Sequence, residues 1–251
     1  MGLKEFWLSE EKKNFQGWDF SYINDRTAEE PLPWDYDRIV RQYLKPEHIL
    51  LDMGTGGGEY ILSLGHPCKN TYVTEAYPPN VELCMKKLKP LGIEVRQVFD
   101  DAHLPFDDSM FDMIINRHES FDVNEVYRVL KPNGLFITQQ VGGQNNKELS
   151  RFLIEDFEEI TNSNYDLKNN LRLIKNVGFT VLKSEEYFPY LRFYDIGALV
   201  YLAKIIEWEF PNFSVERCYE KLCQLQSIVE NQGFVESTEH RFIIVAHKSQ
   251  K

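Results

Sequence analysis

Apolar positions along the chain change their rhythm near residue 48. Residues 1–47 read as helical and irregular: "MGLKEFWLSEEKKNF" has the spacing of a short amphipathic helix, aromatics are dense, and "EEPLPW" at 29–34 is turn-prone. From Ile49 onward short apolar runs alternate with helix-length stretches. "HILLDM" is a continuous apolar run of the kind that forms a strand buried on both faces. "GEYILSLG" follows as a helix closed by Gly65, then "TYVTEA" as a strand and "PPNVELCMKKLKPLG" as a helix with prolines at its start and a Pro/Gly stop. "IEVRQVF" and "FDMIIN" are the third and fourth strands, "DVNEVYRVL" a helix and "GLFITQQV" the fifth strand. Beyond Asn145 the helical patterns "KELSRFLIEDFEEI" and "LKNNLRLIKNVGF" precede a sixth strand, "FTVLKSEEYF", and "RFIIVAHK" is a seventh at the far end. This alternation predicts a doubly wound α/β fold, a seven-stranded, mostly parallel sheet with helices on both faces.

The expected organisation is an N-terminal segment (1–47), an α/β domain (48–185 and 240–251) and an insertion before the last strand (186–239). Leu199, Ala203 and Ile206 share one helix face within the insertion, and its aromatics are dense. It reads as a helical cap over the carboxyl ends of the strands, where open α/β sheets bind ligands, with the N-terminal segment contributing to it.

The pattern breaks most sharply at "LLDMGTGGGEY" (50–60), where four glycines crowd five positions directly after a buried strand. Glycine is costly inside an element, so the cluster needs a reason: a tight turn, or a ligand lying against bare backbone. A dinucleotide and an adenosyl sulfonium both suit such a turn. A dinucleotide turn places glycines as G-x-G-x-x-G, whereas here they fall at 54, 56 and 58, and Glu59 occupies the last position, an acid facing a pyrophosphate. Asp52 at the strand end can instead accept from an ammonium group.

Composition narrows the partners. The net charge is −11, from 39 acids against 28 bases, and no Lys/Arg run appears, which disfavours a nucleic-acid backbone. The N-terminal residues lack a signal-peptide core, and Phe6 stands where myristoylation wants Ser or Thr. The apolar stretch "IGALVYLAKII" is too short to cross a bilayer and contains Lys204. The four cysteines form no metal-binding spacing, so no metal is expected, and they suit a reducing cytoplasm.

An acid followed by G-x-G-x-G in "LLDMGTGGGEY" resembles the first motif of class I S-adenosylmethionine-dependent methyltransferases, and further motifs follow in the family's order across residues 48–141. Glu75 ends the second strand, 23 residues after Asp52; "DDAHLPFDDSMFD" is similar to the third-strand loop, and "EVYRVLKPNGLFI" to the helix, turn and fifth strand of the small-molecule, type 11-like branch. The resemblance implies the Rossmann-like methyltransferase fold, S-adenosylmethionine as cofactor and S-adenosylhomocysteine as product. It implies cofactor binding by Asp52, Gly54, Thr55, Gly56, Gly58, Glu75, Ala76, Asp101, Ala102 and Asn116, with Glu75 on the ribose and Asp101 with Ala102 at the adenine. "NRHESFD" (116–122) stands where the family faces the transferring methyl, so His118, whose ordinary pKa is near neutrality, is the expected base, with Glu119 beside it. Trp18, Tyr36, Arg117, Tyr190 and Tyr194 are candidate acceptor contacts, with Trp34, Phe20 and Tyr22 as further walls of a pocket and Asp35, Arg192 and Asp195 as polar contacts. The reading is a cytoplasmic methyltransferase acting on a small molecule, with no nucleic-acid or membrane partner. Its rivals are an RNA methyltransferase, a non-catalytic binder of the cofactor and an NAD-dependent dehydrogenase.

Overall fold

The computed structural model describes residues 2–15, 18–154 and 164–249. In chain order the elements are α1 (Leu3–Glu11), β1 (Thr27–Glu29), α2 (Tyr36–Tyr43), β2 (Leu50–Met53), α3 (Glu59–Ser63), β3 (Thr71–Glu75), α4 (Pro78–Lys87), β4 (Glu94–Gln97), β5 (Phe111–Arg117), α5 (Val123–Val129), β6 (Leu130–Val141), α6 (Lys147–Leu153), α7 (Leu167–Val177), β7 (Phe179–Tyr187), β8 (Tyr190–Phe193), α8 (Ile196–Ile205), α9 (Val215–Gln232), β9 (Val235–Thr238) and β10 (Arg241–Lys248). Residues 155–160, the second half of the helix expected over "KELSRFLIEDFEEI", lie outside the described residues. Two units emerge: Trp34–Gln140, Asp166–Glu186 and Phe242–Lys251 make the first, and Met1–Pro33, Val141–Tyr165 and Tyr187–Arg241 the second. Residues 34–47 therefore go with the sheet, and the described residues 141–154 and 164–165 with the second unit.

The first unit is the seven-stranded α/β sheet, in the order β4-β3-β2-β5-β6-β10-β7. Parallel pairing joins β4 to β3, β3 to β2, β2 to β5 and β5 to β6. Every residue of β2 is buried, and Phe111, Met113, Ile114 and Ile115 of β5 are fully so. That is why these strands read as unbroken apolar runs: both faces are covered, and each such side chain contributes about 1.5–3 kcal/mol on leaving water. Local signals set the helices. Pro78 and Pro79 open α4 and Lys86 and Lys87 close it; Asp122 caps α5 by accepting from the N–H groups of Asn124 and Glu125. The helix expected from "GEYILSLG" is only five residues long.

The second unit is not purely helical, as expected, but contains a three-stranded sheet, β1-β8-β9. Ala28 pairs antiparallel with Arg192, and Arg192 with Glu236. Strands of three and four residues are too short to show a period of their own, and their partners are far apart in sequence. Against this sheet's unit, α8 is buried continuously from Ile196 to Ala203. A helix apolar all round belongs inside a core rather than at an amphipathic surface. Trp7, Phe193, Phe210 and Leu222 complete that core, all fully buried.

Candidate functional site

The order of strands reverses direction at β2 and β5, which lie side by side with Asp52 opposite Ile115 and Met53 opposite Asn116. The chain leaves both strands at the same edge, the switch point where open α/β sheets form clefts. From β2 runs the glycine loop. Gly54, Gly56 and Gly58 have φ of +69°, +60° and +79°, a left-handed backbone that side-chain-bearing residues adopt at a cost of about 1–2 kcal/mol. A Cβ on Gly54 would lie 2.4 Å from Cγ of Glu119, so the glycine also lets the segment after β5 close against the loop.

Backbone and buried carboxylate hold this loop. The N–H groups of Gly54 and Thr55 both donate to Thr74 O, at 3.1 and 3.0 Å. Glu75, buried at the end of β3, accepts from Gly56 N–H at 2.8 Å through one oxygen and from the N–H groups of Ala76 and Tyr77 at 3.0 and 2.9 Å through the other. Cys84 Sγ donates to Gly56 O, and burial pushes this thiol up to about 12, so it is an inert packing group.

Around the loop stand four acids. Asp52 is buried and its carboxyl is pushed up to about 7, chiefly by desolvation, with the charge of Glu75 adding and that of Arg117 opposing. Glu119 is raised by burial and then by Glu75 and Asp101. Asp101 is raised by burial, and the Ser120 hydroxyl donates to it at 2.5 Å while also lying 3.3 Å from Glu119. Glu59, by contrast, is exposed and paired with Lys87. The acids that oppose a pyrophosphate here are therefore the inner ones, not Glu59. Ala102 N–H donates to Asp100 Oδ1 at 3.0 Å, which shapes the loop after β4 but engages that donor.

From β5 run Asn116, Arg117, His118 and Glu119. Asn116 is fully buried and belongs to a side-chain network: Thr138 Oγ1 donates to its Oδ1 at 3.0 Å, Gln140 Nε2 donates to the same oxygen, and Tyr36 O–H donates to its backbone carbonyl at 3.3 Å. Arg117 is exposed, with its guanidinium 4.8 Å from the Tyr60 ring centre and 5.9 Å from that of Tyr36. His118 is exposed and left-handed, with φ +63°, and its Nε2 lies 3.0 Å from Nε2 of Gln139. A residue with a side chain takes up this backbone at a cost, and histidine is among the types that tolerate it better.

The remaining expected residues have the following surroundings. Trp18, Tyr190 and Tyr194 are in the second unit: Trp18 packs edge-on to Trp208, Tyr190 lies under the Arg192 guanidinium and Tyr194 is exposed. Phe20 and Tyr22 also lie there, packed against Phe15 and Tyr201. The three polar residues expected at the acceptor have local work. Asp35 caps α2; Asp195 caps α8 and holds Arg26 at 2.6 and 2.7 Å; Arg192 pairs with Glu236 at 2.7 Å. Sequence reasoning overlooked Tyr60, Thr138, Gln139 and Gln140. Two glutamines closing an otherwise apolar strand were the signal, since a buried amide needs partners. Three buried polar atoms in or near the glycine loop lack a hydrogen-bond partner: Thr55 Oγ1, the Tyr60 hydroxyl and Nδ2 of Asn80, one turn before Cys84 on α4.

Among the described residues no group of His, Cys, Asp and Glu could hold a metal ion, and no helix is long and apolar enough to cross a membrane. Residues 51–138 match the family model described as "methyltransferase domain". Solved structures share the fold. The YcgJ protein from Bacillus subtilis aligns with a TM-score of 0.56 at 17% identity, over 86% of this chain and 99% of its own. A SAM-dependent methyltransferase from Methanosarcina mazei aligns at 0.52 and 18%, over 88% of this chain and 100% of its own. The cyclase SpnF aligns at 0.50 and 16%, over 86% and 81%. No curated protein matches the sequence. At these identities the likeness is one of fold, and a cyclase among the neighbours means that function has to be argued from the site.

Proposed function

Since residues 51–138 belong to the methyltransferase-domain family and lie in its Rossmann-like sheet, we propose that this protein transfers the methyl group of S-adenosylmethionine to a small-molecule acceptor. The observation that carries this reading is the acidic lining of the glycine loop. Asp52 and Glu75 are buried and Asp101 and Glu119 half-buried, and burial raises the pKa of Asp52, Asp101 and Glu119. Such a set matches a ligand carrying a sulfonium and an ammonium and opposes a pyrophosphate.

The residues present fit the cofactor. Gly54 and Gly56 leave backbone bare, Asp52 supplies a carboxylate to an ammonium, and Asp101 supplies one at the loop after β4. Glu75 has three of its roughly four acceptor sites filled by backbone N–H groups, so its contact with a ribose would use the one that is left. The unpartnered Asn80 Nδ2 and Tyr60 hydroxyl are donors that a bound molecule would satisfy. Thr55, Gly58 and Ala76 act through backbone that shapes the loop, and Asn116 through the network that anchors the end of β5.

When bound, the cofactor would supply a methyl group already activated for transfer by its positively charged sulfur. The protein's task is then orientation and exclusion of water, and alignment alone is worth up to about 7–11 kcal/mol. Arg117, its guanidinium 4.8 Å from the Tyr60 ring centre and 5.9 Å from that of Tyr36, is the cation we assign to an acceptor's acidic group. The charge of −11 speaks against RNA as that acceptor.

Calorimetric titration with S-adenosylmethionine, S-adenosylhomocysteine and NAD tests the reading, followed by transfer of labelled methyl into a small-molecule extract. Binding of the two adenosyl ligands and labelled product are expected. Binding of NAD instead would overturn the assignment, and adenosyl binding with no transfer to any extract would favour a sensor.

A further inference from the structure

Gln139, 6% exposed, joins two rings through its amide. Trp34 Nε1 donates to Gln139 Oε1 at 2.8 Å, and Gln139 Nε2 lies 3.0 Å from His118 Nε2. An indole N–H only donates, so the amide atom that faces Trp34 must be the oxygen. The other end is then NH2, which also only donates, and His118 Nε2 must accept. A neutral imidazole that accepts at Nε2 carries its proton on Nδ1. Turning the amide over would set two donors against each other at Trp34 and leave a buried N–H unsatisfied, a loss of about 1–3 kcal/mol. The backbone holds the same pair in register, since His118 N–H donates to Gln139 O at 2.8 Å.

We infer that Gln139, oriented by Trp34, is a positioning residue that holds His118 in its neutral Nδ1–H form, so that Nε2 is engaged as an acceptor rather than offered as a base at the end of β5. This rests on the methyl-transfer reading and revises the role expected for His118 within it. Its Nε2 lone pair is engaged and its Nδ1 already bears a proton, so the ring has no site for the acceptor's proton. The acceptors that suit such a site reach it with a free lone pair, as a carboxylate, phenolate, thiolate or neutral amine does.

Ring-nitrogen NMR of ¹⁵N-labelled protein without cofactor tests the inference, with the His118 signals identified by their loss in His118→Gln. A protonated Nδ1 and an unprotonated, hydrogen-bonded Nε2 are expected in the unsubstituted protein. Gln139→Glu puts a carboxylate against Nε2. It should move the proton there and raise the ring's titration midpoint by about 1–3 units, the scale for a neighbouring opposite charge. Trp34→Phe releases the amide and should give a mixture of the two tautomers. An Nε2–H ring in the unsubstituted protein would overturn the inference, as would a folded Gln139→Glu with unchanged tautomer and midpoint. If the substituted chains do not fold, the spectrum of the unsubstituted protein decides alone. Because no cofactor or acceptor enters this experiment, its outcome is separate from that of the titration and transfer assays. Once an acceptor is known, the pH profile of transfer should lack a His118 ionisation and acquire one in Gln139→Glu.

Discussion

At the scale of single residues, the site is a balance between charges and the bonds that hold them. Glu75 is both a candidate ribose ligand and the clasp of the glycine loop. Glu75→Gln should therefore lower stability by about 1–3 kcal/mol in urea titration and weaken S-adenosylmethionine at least about tenfold by calorimetry, because it replaces an acceptor with a donor among three backbone N–H groups. A loss of affinity with unchanged stability would show that the clasp is not needed. Gly54→Ala should destabilise by about 1–2 kcal/mol, since it combines a left-handed φ with a Cβ driven into Glu119. In the proposed function, Asp52 should make the cofactor's affinity depend on pH. Its carboxyl is protonated below about 7, and a cation binds the ionised form, so affinity should rise between pH 6 and pH 8 with release of a proton. Titration in buffers of different ionisation enthalpy measures that proton directly, and a flat profile would remove Asp52 from the ammonium contact.

At the scale of elements, what matters is how each strand and helix end is terminated. Asp195 caps α8 by accepting from Ala198 N–H at 3.0 Å and also pairs with Arg26, whose NH1 donates to buried Glu10 at 2.9 Å. Asp195→Asn should keep most of the cap and lose the ion pair, while Asp195→Ala loses both. The difference between them, measured by thermal unfolding, is expected near 1 kcal/mol, the usual worth of a cap. Equal losses would assign the whole effect to Arg26. The chemistry of these ends was partly visible in the sequence: prolines at 78 and 79, Asp122 before an apolar run and Gly178 after one are signals that work over a few residues. The three-stranded sheet was not visible, because Ala28, Arg192 and Glu236 meet only through tertiary pairing.

For the whole molecule, two buried carboxyls set the response to pH. Asp52 and Glu239 are both pushed up to about 7, principally by burial. The folded protein binds their protons more tightly than the unfolded chain does. Their contribution to stability is thus complete below about pH 4 and is lost as pH rises through about 7. Stability without cofactor should be higher at pH 5 than at pH 8, with a change of about 2–4 °C in melting temperature for each kcal/mol. Asp52→Asn should flatten part of the slope, and S-adenosylmethionine should restore stability preferentially at pH 8. Melting that rises from pH 5 to pH 8 in the unsubstituted protein without cofactor would show that these groups do not dominate.

The sequence by itself determined the α/β sheet and the glycine loop, because both rest on short-range physics. A strand buried on both faces must be an apolar run, and a left-handed turn against a ligand must be glycine. The same locality placed Asp52 and Glu75 at strand ends. Tertiary structure alone decided what those groups face. It put Glu119 against Gly54, paired Arg192 with Glu236 and Asp195 with Arg26, and joined Trp34, Gln139 and His118 into one hydrogen-bonded line. Hydrogen-bond direction is a property of pairs of atoms from distant parts of the chain. A histidine's residue type states that it can be a base, and only its neighbours state where its proton sits.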